Sequence, residues 1–220
     1  MPPAESYTLG VVHWRAEQQI AAVLARAFVE DPLVIAMCPA PPWQRERCMV
    51  WSFRMAVRGH CLAAQPGWTL AGPDATPVAA VLTTRPCVQL QVGGDLLFTV
   101  RALLRMGMGT GVRGVRAARA IAAYVPPEPF TYLRTLGVRP DLRRRGLGSR
   151  LVEQVVSSAP ASLPVYLETT KEKNVPFYTR HGFECIGEFG CLGVPVWRML
   201  RPAAESASAG TINPDPKFPR

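Results

Sequence analysis

The chain predicts an α/β or α+β fold, on three observations. Residues 131–200 alternate strand-like and helix-like patterns, which implies a sheet covered by helices. Residues 68–83 carry two strand-like runs around the turn sequence GPDATP, which has hairpin chemistry. Between the β-branched runs stand helices with one apolar face, the mark of packing onto a sheet. At 220 residues the chain has the length of one sizeable domain. We expect that domain over 1–202. Residues 203–220, rich in Ala, Ser, Gly and Pro without apolar period, read as a disordered tail.

In order, Tyr7–Trp14 has the β-branched and aromatic character of a first strand. Ile20, Val23, Leu24, Ala27 and Phe28 recur at helical spacing between Ala16 and Val29. Asp31-Pro32 reads as a break. Pro41-Pro42 introduces a helix over Trp43–Leu62, and strands at Trp68–Ala71 and Val78–Thr83 form the hairpin. Residues 94–123 read as helix, interruption and helix, the interruption being MGMGTG at 106–111, where glycines permit bending. Arg101, Arg105, Arg113, Arg116 and Arg119 make this region a solvated basic face or a lid.

The strand Thr131–Val138 alternates, with Tyr132, Arg134, Leu136 and Val138 on one face and Leu133, Thr135 and Gly137 on the other. Pro140 ends it. A helix follows to about Ser157, with Leu147, Leu151, Val152, Val155 and Val156 on its apolar face. Val165–Thr169, a short helix over Val175–His181, and strands at Glu184–Phe189 and Pro195–Leu200 complete the half.

Lys and Arg outnumber Asp and Glu by 25 to 16. That balance favours an anionic partner: a phosphorylated cofactor, nucleic acid or an acidic membrane surface. The cysteines at 38, 48, 61, 87, 185 and 191 form no CxxC pair and no metal-ligand spacing with His13, His60 or His181. They read as small buried apolar residues, with no metal, in a cytoplasmic setting. The N-terminus lacks signal-peptide character, and no apolar run reaches the roughly 18 residues of a membrane span.

The stretch RTLGVRPDLRRRGLGSRLVEQV, residues 134–155, concentrates charge and glycine where strand turns into helix. A helix start leaves about four backbone N–H groups unpaired and favours negative charge. Gly146 and Gly148 remove side chains there, so a phosphate can approach the amides. Arg143, Arg144 and Arg145 at that positive end are unfavourable alone and favourable around a bound anion. A solvated face explains the arginines but not the glycines. The segment is neither GxxxxGK[ST] nor GxGxxG.

The string Arg143-x-x-Gly146-x-Gly148 after a strand resembles the acetyl-CoA motif [Q/R]-x-x-G-x-[G/A] of the GCN5-related N-acetyltransferase (GNAT) superfamily. VYLETT (165–170) and NVPFYTRHGF (174–183) resemble its next strand and helix, and Tyr132–Phe183 is most similar to the puromycin N-acetyltransferase branch. The resemblance covers about 130–200, the acetyl-CoA half. It implies a mixed sheet of six to seven strands with helices on both faces and strands four and five splayed apart. It implies acetyl-CoA as acyl donor, the main chain of Leu136, Gly137 and Val138 on the pantetheine arm, and the amides of Arg143, Arg144, Arg145, Gly146, Leu147, Gly148 and Ser149 on the pyrophosphate.

Acetyl transfer to an amine in a ternary complex needs a base for the amine, a donor for the oxyanion and a proton for the departing thiolate. Tyr178 matches the superfamily's thiolate-protonating tyrosine. Glu168, sharing a strand face with Tyr166, is the candidate base, directly or through water. Lys171 stands where many members carry asparagine. Asn174 is either a cofactor contact or an N-cap. Strand four carries no acid, and Arg134 suits an acceptor bearing a carboxylate. Asp31 reads as turn chemistry, His13 and Trp14 as a packed edge, and His181 as a partner of its own helix dipole. The reading is a small-amine N-acetyltransferase with no nucleic-acid or membrane partner, as monomer or homodimer. A non-catalytic acyl-CoA sensor and a basic nucleic-acid-binding module are the alternatives.

Overall fold

A computed structural model describes residues 7–85 and 106–204. The elements are β1 (Thr8–Val11), α1 (Glu17–Phe28), α2 (Pro32–Met37), α3 (Pro42–Leu62), β2 (Gly67–Ala71), β3 (Pro77–Thr84), α4 (Met108–Ala122), β4 (Thr131–Val138), α5 (Leu147–Ser158), β5 (Val165–Thr169), α6 (Val175–Thr179), β6 (Glu184–Cys191) and β7 (Val194–Arg201). The seven strands form one sheet in the order β1-β2-β3-β4-β5-β7-β6. All neighbours are antiparallel except β4 and β5.

That parallel pair decides the architecture. β4 and β5 pair only at Thr131 with Val165 and Tyr132 with Tyr166. β4 then runs to Val138 still paired with β3, while β5 runs to Thr169 paired with β7. The two halves of the sheet separate, as the motif resemblance implies.

Burial follows the alternation of the strands. On one face Leu147, Leu151, Val152 and Val155 of α5 join Tyr178 and Phe183 over Leu133, Val165, Leu167 and Met199. On the other, Ile20 and Leu24 of α1 and Val57 of α3 cover Ala80 and Leu82 of β3. Farther along that face Leu33 of α2 and Ala117 of α4 close on Phe189, Cys191 and Val196. The middle of this second face, over the β4–β5 junction, carries polar side chains.

The structure revises four expectations. Asp31-Pro32 starts a helix instead of ending order: Asp31 Oδ1 accepts the Leu33 N–H at 3.1 Å and Pro32 takes the first turn, where its missing N–H costs nothing. In 106–111 only Met106 and Gly107, the latter at φ 83°, lie outside α4. Gly109, Gly111 and Gly114 are helical, because Ala117, Ala120 and Ile121 are held by packing on α2 and β6; residues 94–105 and 205–220 lie outside the described residues. Alternation along β4 is broken, since Leu82 faces Thr135 while Thr83 faces Leu133. Arg134 is the extra residue of a bulge, so Leu133, Leu136 and Val138 share the α5 face. Of the five cysteines among the described residues, all are free and Cys185 is exposed.

His60, in the last turn of α3, is buried and its Nε2 has no hydrogen-bond partner. A Cβ on Gly67 would stand 2.7 Å from that nitrogen. Burial lowers its pKa from 6.5 to about 4, with nearby Arg134 adding to the effect and a Pro66 backbone contact opposing it. The folded state therefore holds fewer protons than the unfolded state between those values. Stability falls as pH drops from about 6.5 to 4, by up to about 3 kcal/mol. Urea denaturation across this window should show the slope in the native chain and a flatter one in His60→Asn.

Candidate active site

Chain geometry builds a cradle of open backbone amides at the head of α5. Arg143 is extended, Arg144 sits at φ 64°, and Gly146 caps the helix in the left-handed conformation at φ 78°. The helix begins at Leu147, so the three arginines precede its first turn. The amides of Gly146, Leu147 and Gly148 find no backbone acceptor among the described residues, as expected of a helix start with no side-chain cap. Gly146 is there for its conformation: a Cβ would meet nothing within 4 Å, but positive φ strains other residues. Gly148 is an ordinary helical residue against the Phe177 ring, 3.5 Å from its ideal Cβ.

Side chains brace the cradle. Arg143 Nη2 donates to the Ala27 carbonyl at 3.0 Å, tying the loop to the end of α1. His181 Nε2 and Ser149 Oγ lie 3.1 Å apart, so His181 couples α6 to α5 instead of serving its own helix dipole. Beyond Tyr132 the β5-facing edge of β4, including Leu136, Gly137 and Val138, has no strand partner. Gly137 also lets α1 approach, since a Cβ would lie 2.8 Å from Leu24 Cδ2.

Tyr178 packs between Phe177 and Phe183, with centroids at 5.0 and 5.8 Å. Burial pushes its phenol well above the ordinary value, so it keeps its proton at neutral pH. Its hydroxyl makes no hydrogen bond among the described residues, and its ring shares a cluster with Leu136, Val138 and Leu147. The structure thus joins Tyr178 to the cradle and to β4.

Glu168 lies on the opposite face. Alternation along β5 puts it with Tyr166, as expected. Tyr132 Oη donates to Glu168 Oε2 at 2.6 Å, bridging β4 and β5 where they part. Arg198 stands directly across from Glu168 on β7. Its Nη1 donates to the Tyr124 carbonyl at 3.1 Å and its Nη2 to that of Ile186 at 3.4 Å. Burial raises the Glu168 pKa from 4.5 to about 6, against the lowering effect of the Tyr132 and Tyr166 hydroxyls and Arg198. We assign only Tyr132 as a hydrogen-bond donor to Glu168, because the Tyr166 hydroxyl meets no partner within bonding geometry. Three buried polar atoms on this strip lack partners among the described residues: Glu168 Oε1, Tyr166 Oη and Arg198 Nε. Phe130 packs edge-on to Tyr166 at 5.0 Å, giving the strip an aromatic wall.

Three further expectations change. Asn174 makes no side-chain cap; its Nδ2 donates to Thr169 Oγ1 at 3.0 Å, fixing the end of β5. Asp31 exceeds turn chemistry: its Oδ2 accepts from Thr170 Oγ1 at 2.8 Å and lies 3.8 Å from Lys171 Nζ. The α1–α2 junction is thereby latched to the exit of β5. Arg45, buried, reinforces it through the Val29 and Ala40 carbonyls at 2.6 and 2.7 Å. His13 accepts the Arg15 N–H at 3.2 Å, and Trp14 is largely exposed instead of packed.

Residues 103–183, from the approach to α4 through β4, the cradle, β5 and α6, match the model of the acetyltransferase (GNAT) family. The surrounding sheet has the GNAT fold, with the split between β4 and β5 and helices on both faces. A Corynebacterium glutamicum chain named histone acetyltransferase HPA2 and related acetyltransferase superposes with a TM-score of 0.71 at 23% identity, covering 90% of this chain and 97% of its own. Arylalkylamine N-acetyltransferase 2 of Aedes aegypti gives 0.61 at 10% identity over 90% and 99% of the two GNAT-fold chains. Drosophila melanogaster polyamine N-acetyltransferase gives 0.57 at 17% over 89% and 98%.

Two residues of this site, Tyr132 and Arg198, carry no signal in the sequence alone. Tyr132 becomes visible only with the two-residue parallel register, and Arg198 only with the antiparallel register of β7. No helix among the described residues is long and apolar enough to cross a membrane.

Proposed function

We propose that the chain transfers an acetyl group from acetyl-CoA to the amine of a small acceptor, in a ternary complex at the β4–β5 split. The observation that carries this reading is the strip of partnerless buried atoms, Glu168 Oε1, Tyr166 Oη and Arg198 Nε, beside that split. Buried polar atoms are nearly always paired, so a polar ligand belongs here. The residues fit acetyl-CoA: free amides at Gly146, Leu147 and Gly148 suit a diphosphate, and the open edge of Leu136–Val138 suits an amide-bearing arm added like a strand. When bound, acetyl-CoA supplies the activated acyl group.

The chain's own residues divide the proton work. Glu168, with its pKa near 6, is ionised at neutral pH and accepts a proton from the acceptor amine, directly or through water. Tyr132 orients it. Tyr178 keeps its proton and sits on the other face of the sheet, so acid and base address the split from opposite sides. Asn174 acts through Thr169 in this proposal, shaping the cofactor's end of β5. The pattern shared by YLRTLGV and LET…NVPFY supports kinship with the puromycin N-acetyltransferase branch; the acceptor is a small amine, and names among the fold neighbours also include amines.

Thiol release over a panel of amines tests the proposal. Tyr178→Phe should lower kcat about 100-fold, the low end of the range for a lost proton donor, with an unchanged Kd for acetyl-CoA. Acetyl-CoA binding without turnover on any amine would favour the sensor reading instead. Salt-sensitive DNA retention indifferent to coenzyme A would favour nucleic-acid binding.

A further inference from the structure

Arginines near the site are nearly all spoken for. Arg198 is bonded to two carbonyls, Arg143 to Ala27, Arg45 to Val29 and Ala40, and Arg113 to Met37. Arg134 differs. It is exposed, and no hydrogen bond or ion pair engages it among the described residues. It is also the extra residue of the β4 bulge, between Leu133 and Thr135. Bulges re-aim side chains beside functional sites, and this one falls two residues beyond Tyr132, where β4 leaves β5.

Its direction is readable from its neighbours. Arg134 acts electrostatically on Tyr132, the residue bonded to Glu168, and on His60 of α3. Leu133 packs on the α5 face, so strand alternation turns Tyr132 and Arg134 to the opposite face, the face that carries α1 and α3 and, on β5, Tyr166 and Glu168. Among the described residues the charges beside Tyr166 are one carboxylate, Glu168, and two guanidiniums, Arg134 and Arg198, while Asp31 and Lys171 at the exit of β5 pair with each other. Arg198 spends both Nη atoms on carbonyls and keeps only Nε open; the whole fork of Arg134 is open among the described residues. A polycation entering this strip would gain one carboxylate and face two like charges. An acceptor holding an ammonium and a carboxylate would complement both Glu168 and Arg134.

We propose that the acceptor is an amine that also bears a carboxylate, with Arg134 receiving the carboxylate while the amine faces Glu168. This deepens the transferase reading and rests on it. A guanidinium offers a bidentate fork to a carboxylate, which a lysine does not reproduce. Arg134 is then a specificity-determining residue, and its bulge is the device that delivers it.

The test uses matched pairs differing by the carboxylate: L-phenylalanine against phenethylamine, L-tryptophan against tryptamine and L-ornithine against putrescine. The full chain with acetyl-CoA should favour the carboxylated member of at least one pair tenfold or more in kcat/KM. In Arg134→Gln that ratio should collapse toward one, with the loss in KM, and Arg134→Lys should recover part of it. Calorimetric titration of the same pairs into the chain saturated with coenzyme A supplies a readout independent of turnover. Preference for the decarboxylated members, equal affinity within every pair, or a preference that survives Arg134→Gln overturns the proposal while leaving the transferase reading intact. Absence of acetyl-CoA binding and of thiol release with every amine sinks the transferase reading itself.

Discussion

Glu168→Gln is expected to lower kcat/KM by about 10²- to 10³-fold, the range of a removed general base, while leaving the Kd for acetyl-CoA unchanged. The shape is isosteric and the amide still accepts from Tyr132, so geometry survives and only basicity is lost. The pH profile makes the assignment specific. Because the active form is the carboxylate, kcat/KM in the native chain should rise with pH up to about 6 and level off above it. The variant should lose that limb. Stability should move the other way. A folded pKa raised from 4.5 to about 6 means the folded state holds its proton more tightly than the unfolded state. Its stabilising share is present below about 4.5 and lost as pH rises through 6. At pH 7 the ionised Glu168 therefore costs about 2 kcal/mol, the Tyr132 bond included. Glu168→Gln should melt no lower than the native chain and is expected to melt higher, a trade of stability for activity. A variant that is inactive and unfolded, or one that keeps the acid limb, would remove Glu168 from the chemistry.

What could be read in advance divides along the line between local and tertiary information. β4 and β5 were legible to the residue because β-branched runs, a following proline and turn residues mark them locally. α5 was legible because Leu147, Leu151, Val152 and Val155 recur at helical spacing. α2 was not: six residues behind Asp-Pro give too little period, and its apolar side is explained by α4 and β7, both distant in sequence. Arg134 was placed on a face by counting in twos, and the bulge, a property of the β3 register, broke the count. Glu168 could be picked out by its strand face, but its partners came from two other strands. The same limit hid Asn174, whose side chain serves Thr169 instead of the helix it precedes, and Asp31, whose second oxygen reaches Thr170.

Gly146 and Gly148 look equivalent in the motif, and the structure makes them unequal. Gly146→Val places a β-branched residue at φ 78°, a conformation costing about 1–2 kcal/mol for non-glycine residues, more with branching. The space beyond the absent Cβ is open, so the protein itself offers no clash. The penalty falls on the turn that aims the amides of Leu147 and Gly148, and on whatever occupies that space. Gly148→Ala, by contrast, adds a methyl at 3.5 Å from Phe177, an ordinary contact at a position where alanine favours helix by about 1 kcal/mol. Calorimetry should show acetyl-CoA affinity reduced more than tenfold in Gly146→Val, with a Tm lower by several degrees. Gly148→Ala should keep the Tm and lose far less affinity. If instead Gly148→Ala abolishes binding at unchanged Tm, the phosphate lies against the second glycine. If neither variant alters binding, the diphosphate is held elsewhere, because a cradle of oriented amides cannot tolerate the loss of the one residue that lets them turn.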